Sequence, residues 1–313
     1  MDRRATFLTL ALTVACAAYL LWGLGPKWPF VLSLRAGKLA GMLLVGAAVA
    51  VATVLFQTVS RNRILTPQIM GFDALYILMQ TALVAGLGLT GFASLPVPAK
   101  FGVEVAIMIA ASLLLFGTLL GRAGQDVARL ILTGVILGVL FRSAAGFLAR
   151  VLDPNAFAVV QYASFASFAR VNTDLLPYAP TLTCAAIGLA LWLAPRLDVL
   201  ALGRPIAVSL GLKHDRLLLL ALGIVAVLVS VATALVGPMA FFGLIVAGLA
   251  HEAAGTARHA RLLPMAMLIA GLLLVGGQTV FERALGLQST LSVVIEFAGG
   301  LFFLWLLLKG RIR

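Results

Sequence analysis

The stretch AGKLAGMLLVGAAVAVATVLFQ (36–57) holds one charge, Lys38, near its start and is otherwise almost wholly apolar. It shows no alternation of polar and apolar positions, so it is not a strand of an outer-membrane barrel. Its length matches the ~20 apolar residues that carry a helix across a bilayer. Working outward, nine further segments read alike, giving 6–25, 36–57, 70–91, 101–121, 128–149, 177–195, 217–237, 240–252, 262–281 and 291–309. The eighth is short and follows Gly237-Pro238, which breaks the helix before it; interrupted helices belong where backbone lines a cavity or pathway. The expectation is an all-α membrane protein of about ten transmembrane helices in one polytopic domain, 1–313.

Composition agrees. Of 313 residues 62% are hydrophobic and 11% charged, and mean hydropathy is +1.12. Such a chain cannot clothe a water-soluble surface. The net charge of +12 in a soluble protein would suggest nucleic acid. Here it reads as loop charge that fixes membrane orientation. With alternating spans and a cytoplasmic N-terminus, 15 of the 23 Lys and Arg residues fall inside and 8 outside, so both termini are expected in the cytoplasm. The loop 150–176 then lies outside and the loop 196–216 inside. Two halves of five spans would have opposite orientation, as in an inverted repeat; AVAVATVL (48–55) and VSVATALV (229–236) are alike, as Ala/Val-rich helices often are. Gly37/Gly41 and Gly134/Gly138 are spaced for close helix packing. The first 24 residues are long enough to span rather than to be a cleaved leader, and Thr13 occupies the position where lipoprotein cleavage before Cys16 would want an aliphatic residue.

Enzyme chemistry finds little footing. There is no GxxxxGK[ST] phosphate loop, no GxSxG and no zinc-protease pair after His251-Glu252. Cys16 and Cys184 lie in apolar runs and suggest neither a disulfide nor a metal site, so no directly bound cofactor is expected. What remains is a membrane pathway. Its informative residues are the ionisable ones inside spans, Glu104, Arg142 and Glu296, because charge in lipid is expensive. Two readings stand for Arg142: it pairs with Glu104 and holds two helices together, or it faces the outer mouth and draws in an anionic substrate. None of the three is clearly central, which argues against proton coupling.

Four stretches, in order, resemble the permease subunits of ABC importers for ferric siderophores, haem and cobalamin. In QTVSRNRILTPQIMGFD (57–73), Gln57, Asn62, Pro67 and Gly71 fit that family's pattern, while Arg63 stands where proline is usual. LRAGKLA (34–40) is similar to its Arg-Leu-Pro-Arg opening of the second span, with Gly37 replacing proline. ALGRPIAVSLGL (201–212) resembles its coupling segment through Gly203, Ala207 and Gly211. VGPMAFFGLIV (236–246) resembles its Gly-Pro-Ile-x-Phe-x-Gly-Leu motif through Gly237, Pro238 and Gly243, but Ala247-Gly248 replaces Pro-His. Stretches 63–76 and 165–176 look like the subgroup for catecholate siderophores of the enterobactin, vibriobactin or petrobactin type; the usual Trp-x-x-Gly-Ser is replaced by Gln161 and Tyr162.

The resemblance implies a type II ABC importer permease fold and a set of partners. These are a second permease (a different one, or a copy of this chain), two ATP-binding subunits that hydrolyse ATP, and a periplasmic or lipid-anchored substrate-binding protein at the bacterial inner membrane. It implies that Leu202, Gly203, Arg204, Ala207 and Gly211 dock on the ATPase, with Arg204 pairing an ATPase acid. Tyr162, Phe165, Phe168 and Asn172, with Arg142, would line the outer lip of the path or meet the binding protein. Haem, cobalamin or hydroxamate cargo, a stand-alone proton-coupled carrier, and a membrane assembly protein without transport are the alternatives.

Overall fold

The structure is a computed structural model, and it describes residues 3–122, 127–168, 171, 173–175, 177–284, 286 and 291–308. Among these, every regular element is helical: α1 Arg3–Leu21, α2 Trp28–Ser60, α3 Phe72–Ala93, α4 Val97–Arg122, α5 Val127–Ala149, α6 Pro154–Ala163, α7 Ala179–Trp192, α8 Ala194–Ala201, α9 Arg204–Ser209, α10 His214–Val236, α11 Phe242–Ala254, α12 His259–Thr279 and α13 Leu291–Leu308. Seven helices are long and apolar enough to span: α1 to α5, α10 and α12. The sixth expected span is broken, because α7 and α8 meet at a 62° bend beside Pro195. Helices α11 and α13 are shorter apolar elements.

Helix α2 is the hub. It packs most extensively on α10 and α12, while α1 lies on α12, α4 and α7 on α10, α3 on α5, and α13 on α11. The spanning windows of α2 and α10 are each 72% buried, against 6% for α1. The interior is therefore built from two Ala/Val-rich helices, and the outer helices turn Leu and Phe to lipid. The two look-alike stretches, 48–55 and 229–236, lie in these two central helices, and all but Ala234 are buried.

Helix α2 corrects the expected start of the second span. It begins at Trp28 with Pro29 in its first turn and runs 33 residues, about 50 Å at 1.5 Å per residue. Arg35, expected in the outer loop, lies within it and is 6% exposed. Its Nη1 donates to the carbonyls of Leu20 (2.8 Å) and Trp22 (2.9 Å) at the end of α1. Those carbonyls have no helical partner of their own, so the buried guanidinium serves as a cap supplied from a neighbouring helix.

The two long loops are also structured. The outer one contains α6, whose first turn is capped by the Asp153 carboxylate accepting from the backbone N–H groups of Asn155 (2.9 Å) and Ala156 (3.0 Å). The inner one contains α8 and α9.

Candidate transport path and coupling surface

The motif residues shape backbone. At the inner end of α2, Arg61 takes a left-handed conformation (φ 50°) and turns the chain. Gln57 Nε2 donates to the Arg63 carbonyl at 2.5 Å, and Asn62 Oδ1 accepts from the Ile64 N–H at 3.0 Å. A short amide on each side of the turn thus holds 61–64 in place. Pro67 opens a 3₁₀ turn to Met70, and Gly71 follows with φ 88°. A Cβ on Gly71 would lie 2.8 Å from the Gly138 Cα, and one on Gly134 would lie 3.0 Å from Met70. The Gly134/Gly138 pair is therefore the seat on α5 for the turn before α3, not a general packing surface.

Gly237 has φ 98°, and a Cβ there would come within 3.0 Å of the Phe165 carbonyl. The outer segment 163–168 is pinned at this point: the Ser167 N–H donates to the Val236 carbonyl (2.8 Å), and Ser292 Oγ donates to the Ala166 carbonyl (2.8 Å). Gly243 packs against the Thr53 side chain with no room for a Cβ. Pro238 sits in the break between α10 and α11.

At the outer side the expected residues do not form one surface. Tyr162 is exposed and lines a 290 Å³ cleft with Tyr76, Gln80, Lys100 and Glu104. Phe165 is half-buried. Phe168 is 5% exposed and belongs to the core, so its ring is not offered to a ligand in this conformation. Asn172 and Arg170 lie outside the described residues. Glu104 does not pair with Arg142. Its carboxylate accepts from Gln80 Nε2 (2.8 Å) and lies 3.8 Å from Lys100 Nζ one turn earlier on the same helix. Lys100 also stands over the Phe92 ring, 3.8 Å from its centroid. The nearer cation, at i,i+4, takes the carboxylate. Arg142 is exposed on α5, within Coulombic reach of Asp73 at the start of α3. The sequence reading missed Gln80 and Asp73; Asp73 follows the Gly71 motif directly, which was the available signal.

At the inner side the geometry divides the expected coupling residues in two. Gly203 opens α9 with φ 92°, and a Cβ there would meet Arg61 Nη1 at 2.8 Å. Ala207 is fully buried. Gly211 has φ 81° and closes α9 in a Schellman arrangement, with the Leu212 N–H on the Ala207 carbonyl and the Gly211 N–H on the Val208 carbonyl, each at 2.9 Å. Gly203 and Ala207 therefore face the chain itself, while Gly211 is exposed and serves the turn. The outward face carries Leu202, Ile206, Val208 and Leu210, between 48% and 62% exposed. Arg204 lies 3.6 Å from Asp215 of its own chain, both about half exposed, a contact that contributes little.

Comparison with known proteins follows this geometry. The FecCD transport family matches residues 10–309. The chain belongs to that family. Among its relatives, the petrobactin import system permease YclO of Bacillus subtilis is 41% identical over 304 residues, 96% of each chain. The petrobactin import system permease FatC of Bacillus anthracis is 30% identical, covering 91% of this chain and 81% of its own. The ferric enterobactin permease FepD of Escherichia coli is 30% identical, covering 86% and 79%. A solved ABC transporter assigned to the metal-chelate type, in an inward-facing conformation, superposes with a TM-score of 0.83 at 24% identity over 98% of this chain and 99% of that one. The FecCD chain is thus a multi-pass membrane protein with that transporter's fold. YclO, FatC and FepD are transport permeases.

Proposed function

We propose that this chain is the transmembrane permease subunit of an ATP-driven importer that carries a ferric siderophore of the catecholate or petrobactin type across the bacterial inner membrane, with both termini in the cytoplasm. It works beside a second permease, a different chain or a copy of this one, with two ATPase subunits and a substrate-binding protein outside. ATP is consumed by the ATPase subunits, and no cofactor is held by this chain. The observation that carries the reading is the exposed apolar face of α9. Ile206 and Val208 stand on this short helix, with Leu202 and Leu210 at its two ends, all four exposed, on the side that the proposed orientation turns to the cytoplasm. Such a patch fits a groove on a partner. Its helix is closed by backbone caps and its Ala207 is fully buried, so closure of the ATPases can push it as a body. Differential binding of two conformations then switches the path. Arg142, Tyr162 and Phe165 are the candidates to meet an anionic, aromatic chelate on the outer side, and Phe168 and Asn172 belong to the same proposal.

The test is uptake of petrobactin loaded with radioactive iron by cells under iron limitation, alongside mild-detergent purification of the tagged chain. Ile206→Glu and Leu210→Glu should abolish uptake and release the ATPase while leaving membrane abundance unchanged, since these side chains touch little of their own chain. Purification of the wild type without an ATPase, or full uptake by both variants, overturns the reading.

A further inference from the structure

Helix α12 begins without a cap of its own. Arg258 precedes it and makes no side-chain bond to the first turn. The cap comes from 61 residues away: Asp198 Oδ1, on α8, accepts from the His259 backbone N–H at 2.8 Å. The same oxygen is 2.6 Å from His259 Nδ1. On its other side the ring meets Thr58 Oγ1 of α2, with Nε2 at 2.6 Å. Thr58 in turn is 2.8 Å from the Val54 carbonyl one turn earlier. His259 is 2% exposed and Asp198 is one-third exposed. One continuous line of hydrogen bonds therefore joins α8, the start of α12 and the end of α2.

The proton inventory keeps this line intact in either state of the ring. A carboxylate oxygen only accepts, so Nδ1 carries a hydrogen toward Asp198. If Nε2 also carries one, it donates to Thr58, which donates to Val54. If the ring is neutral, the Thr58 hydrogen turns to Nε2. Neither state leaves a buried ring nitrogen unpaired. Capping alone would not require this. A Ser, Thr or Asp at 258 would cap α12 locally, whereas burying an imidazole in an apolar chain costs free energy unless both nitrogens are bonded.

We propose that Asp198, His259 and Thr58 form a strut that fixes the α8–α9 arm to α2, so that a displacement of α9 reaches the helix at the centre of the molecule. The three are positioning residues. The guanidinium of Arg61, just past the end of α2, lies over Gly203 of the same arm. The strut joins the arm to the helix that packs most extensively on both α10 and α12. Helix α8 also packs on α2, α10 and α12 through apolar contacts, which can slide; the hydrogen-bonded line adds a directional link that fixes its register against α2. This inference rests on the reading that α9 is the surface an ATPase pushes.

The experiment compares Thr58→Val, which keeps the shape and removes the hydroxyl, with Thr58→Ser, which restores it. Two quantities are measured: amide hydrogen exchange of residues 194–209 in the full-length protein in lipid nanodiscs, and uptake of iron-loaded petrobactin normalised to membrane abundance. Thr58→Val should speed exchange of 194–209 roughly tenfold, the factor expected for one lost buried hydrogen bond, leave exchange in α4 unchanged, and cut uptake severalfold. Thr58→Ser should return both toward wild type. Unchanged exchange in 194–209, faster exchange with full uptake, or failure of serine to restore either one overturns the strut. Should Thr58→Val not accumulate, Asp198→Ala, at the more exposed end of the line, is held to the same criteria, with Asp198→Asn, which keeps an acceptor, as its restoring partner. Wild-type protein that purifies without an ATPase defeats the docking reading instead, and the exchange result still judges the strut by itself.

Discussion

Gly71 and Gly211 both have positive φ, 88° and 81°, yet they answer to different constraints. A Cβ on Gly211 meets nothing within 4 Å, whereas one on Gly71 meets α5 backbone. Gly211→Ala should therefore cost only the left-handed conformation, about 1–2 kcal/mol. Gly71→Ala adds a clash with backbone that cannot rotate away, and its total should exceed that of Gly211→Ala by about 1–3 kcal/mol. Chemical denaturation in detergent micelles measures both, and equal losses would mean that α5 yields at Gly138. A comparison of the same kind separates Lys100, which sits beside Glu104, from Arg142, which does not. Lys100→Met strips the buried Glu104 carboxylate of one of its bonds and should cost about 1–3 kcal/mol. Arg142→Gln removes an exposed side chain and should change stability by no more than about 0.5 kcal/mol, while weakening uptake of the anionic chelate. Loss of stability in Arg142→Gln would return it to a structural role. Sequence spacing gave no means of choosing here: Glu104 and Lys100 are four apart on one helix and legible as a pair, but Gln80 reaches them only through tertiary packing.

At the level of elements, apolar run length located the seven helices long and apolar enough to cross a membrane, because continuous hydrophobicity is itself the physical requirement. It missed what charge conceals. Arg35 cut the second span short on paper, yet in the fold it is an internal cap whose guanidinium bonds two α1 carbonyls. Arg35→Met keeps the bulk and deletes both bonds, so it should destabilise the chain by about 2–4 kcal/mol, hydrogen bonds from a charged donor to buried carbonyls being among the stronger ones. Protection in the last turn of α1 should fall with it, which hydrogen exchange reads directly; intact protection there would show that another group caps α1. The coupling segment teaches the complementary lesson. Its glycines and alanine matched the family's pattern, but which side of the segment turns outward depends on where α8 and α10 lie, and no local pattern contains that. The outward face proved to be Leu202, Ile206, Val208 and Leu210.

For the molecule as a whole, orientation is the property on which both functional surfaces depend. The proposed orientation, argued from the positive-inside bias, has α9 in the cytoplasm and α6 outside, and the structure sets these two elements at opposite ends of α10: α9 precedes its first turn, and the segment after α6 is bonded to the Val236 carbonyl at its last. One chemical label can therefore test both. In a chain whose Cys16 and Cys184 are replaced by alanine, Asn155→Cys and Ser209→Cys each add one exposed thiol. Neither side chain carries packing: Asn155 engages the Asp153 cap through its backbone, and the Ser209 hydroxyl bonds only a carbonyl one turn back. A membrane-impermeant maleimide should label Asn155→Cys in intact spheroplasts, and Ser209→Cys only after permeabilisation. Reversal of both would put the apolar face of α9 on the side of the binding protein and detach it from any ATPase. Labelling of both from outside would mean that an even number of crossings separates the two sites, which a broken α7–α8 failing to cross would produce. The expected pattern requires that the bent α7–α8 pair, short as its first limb is, carry the chain across.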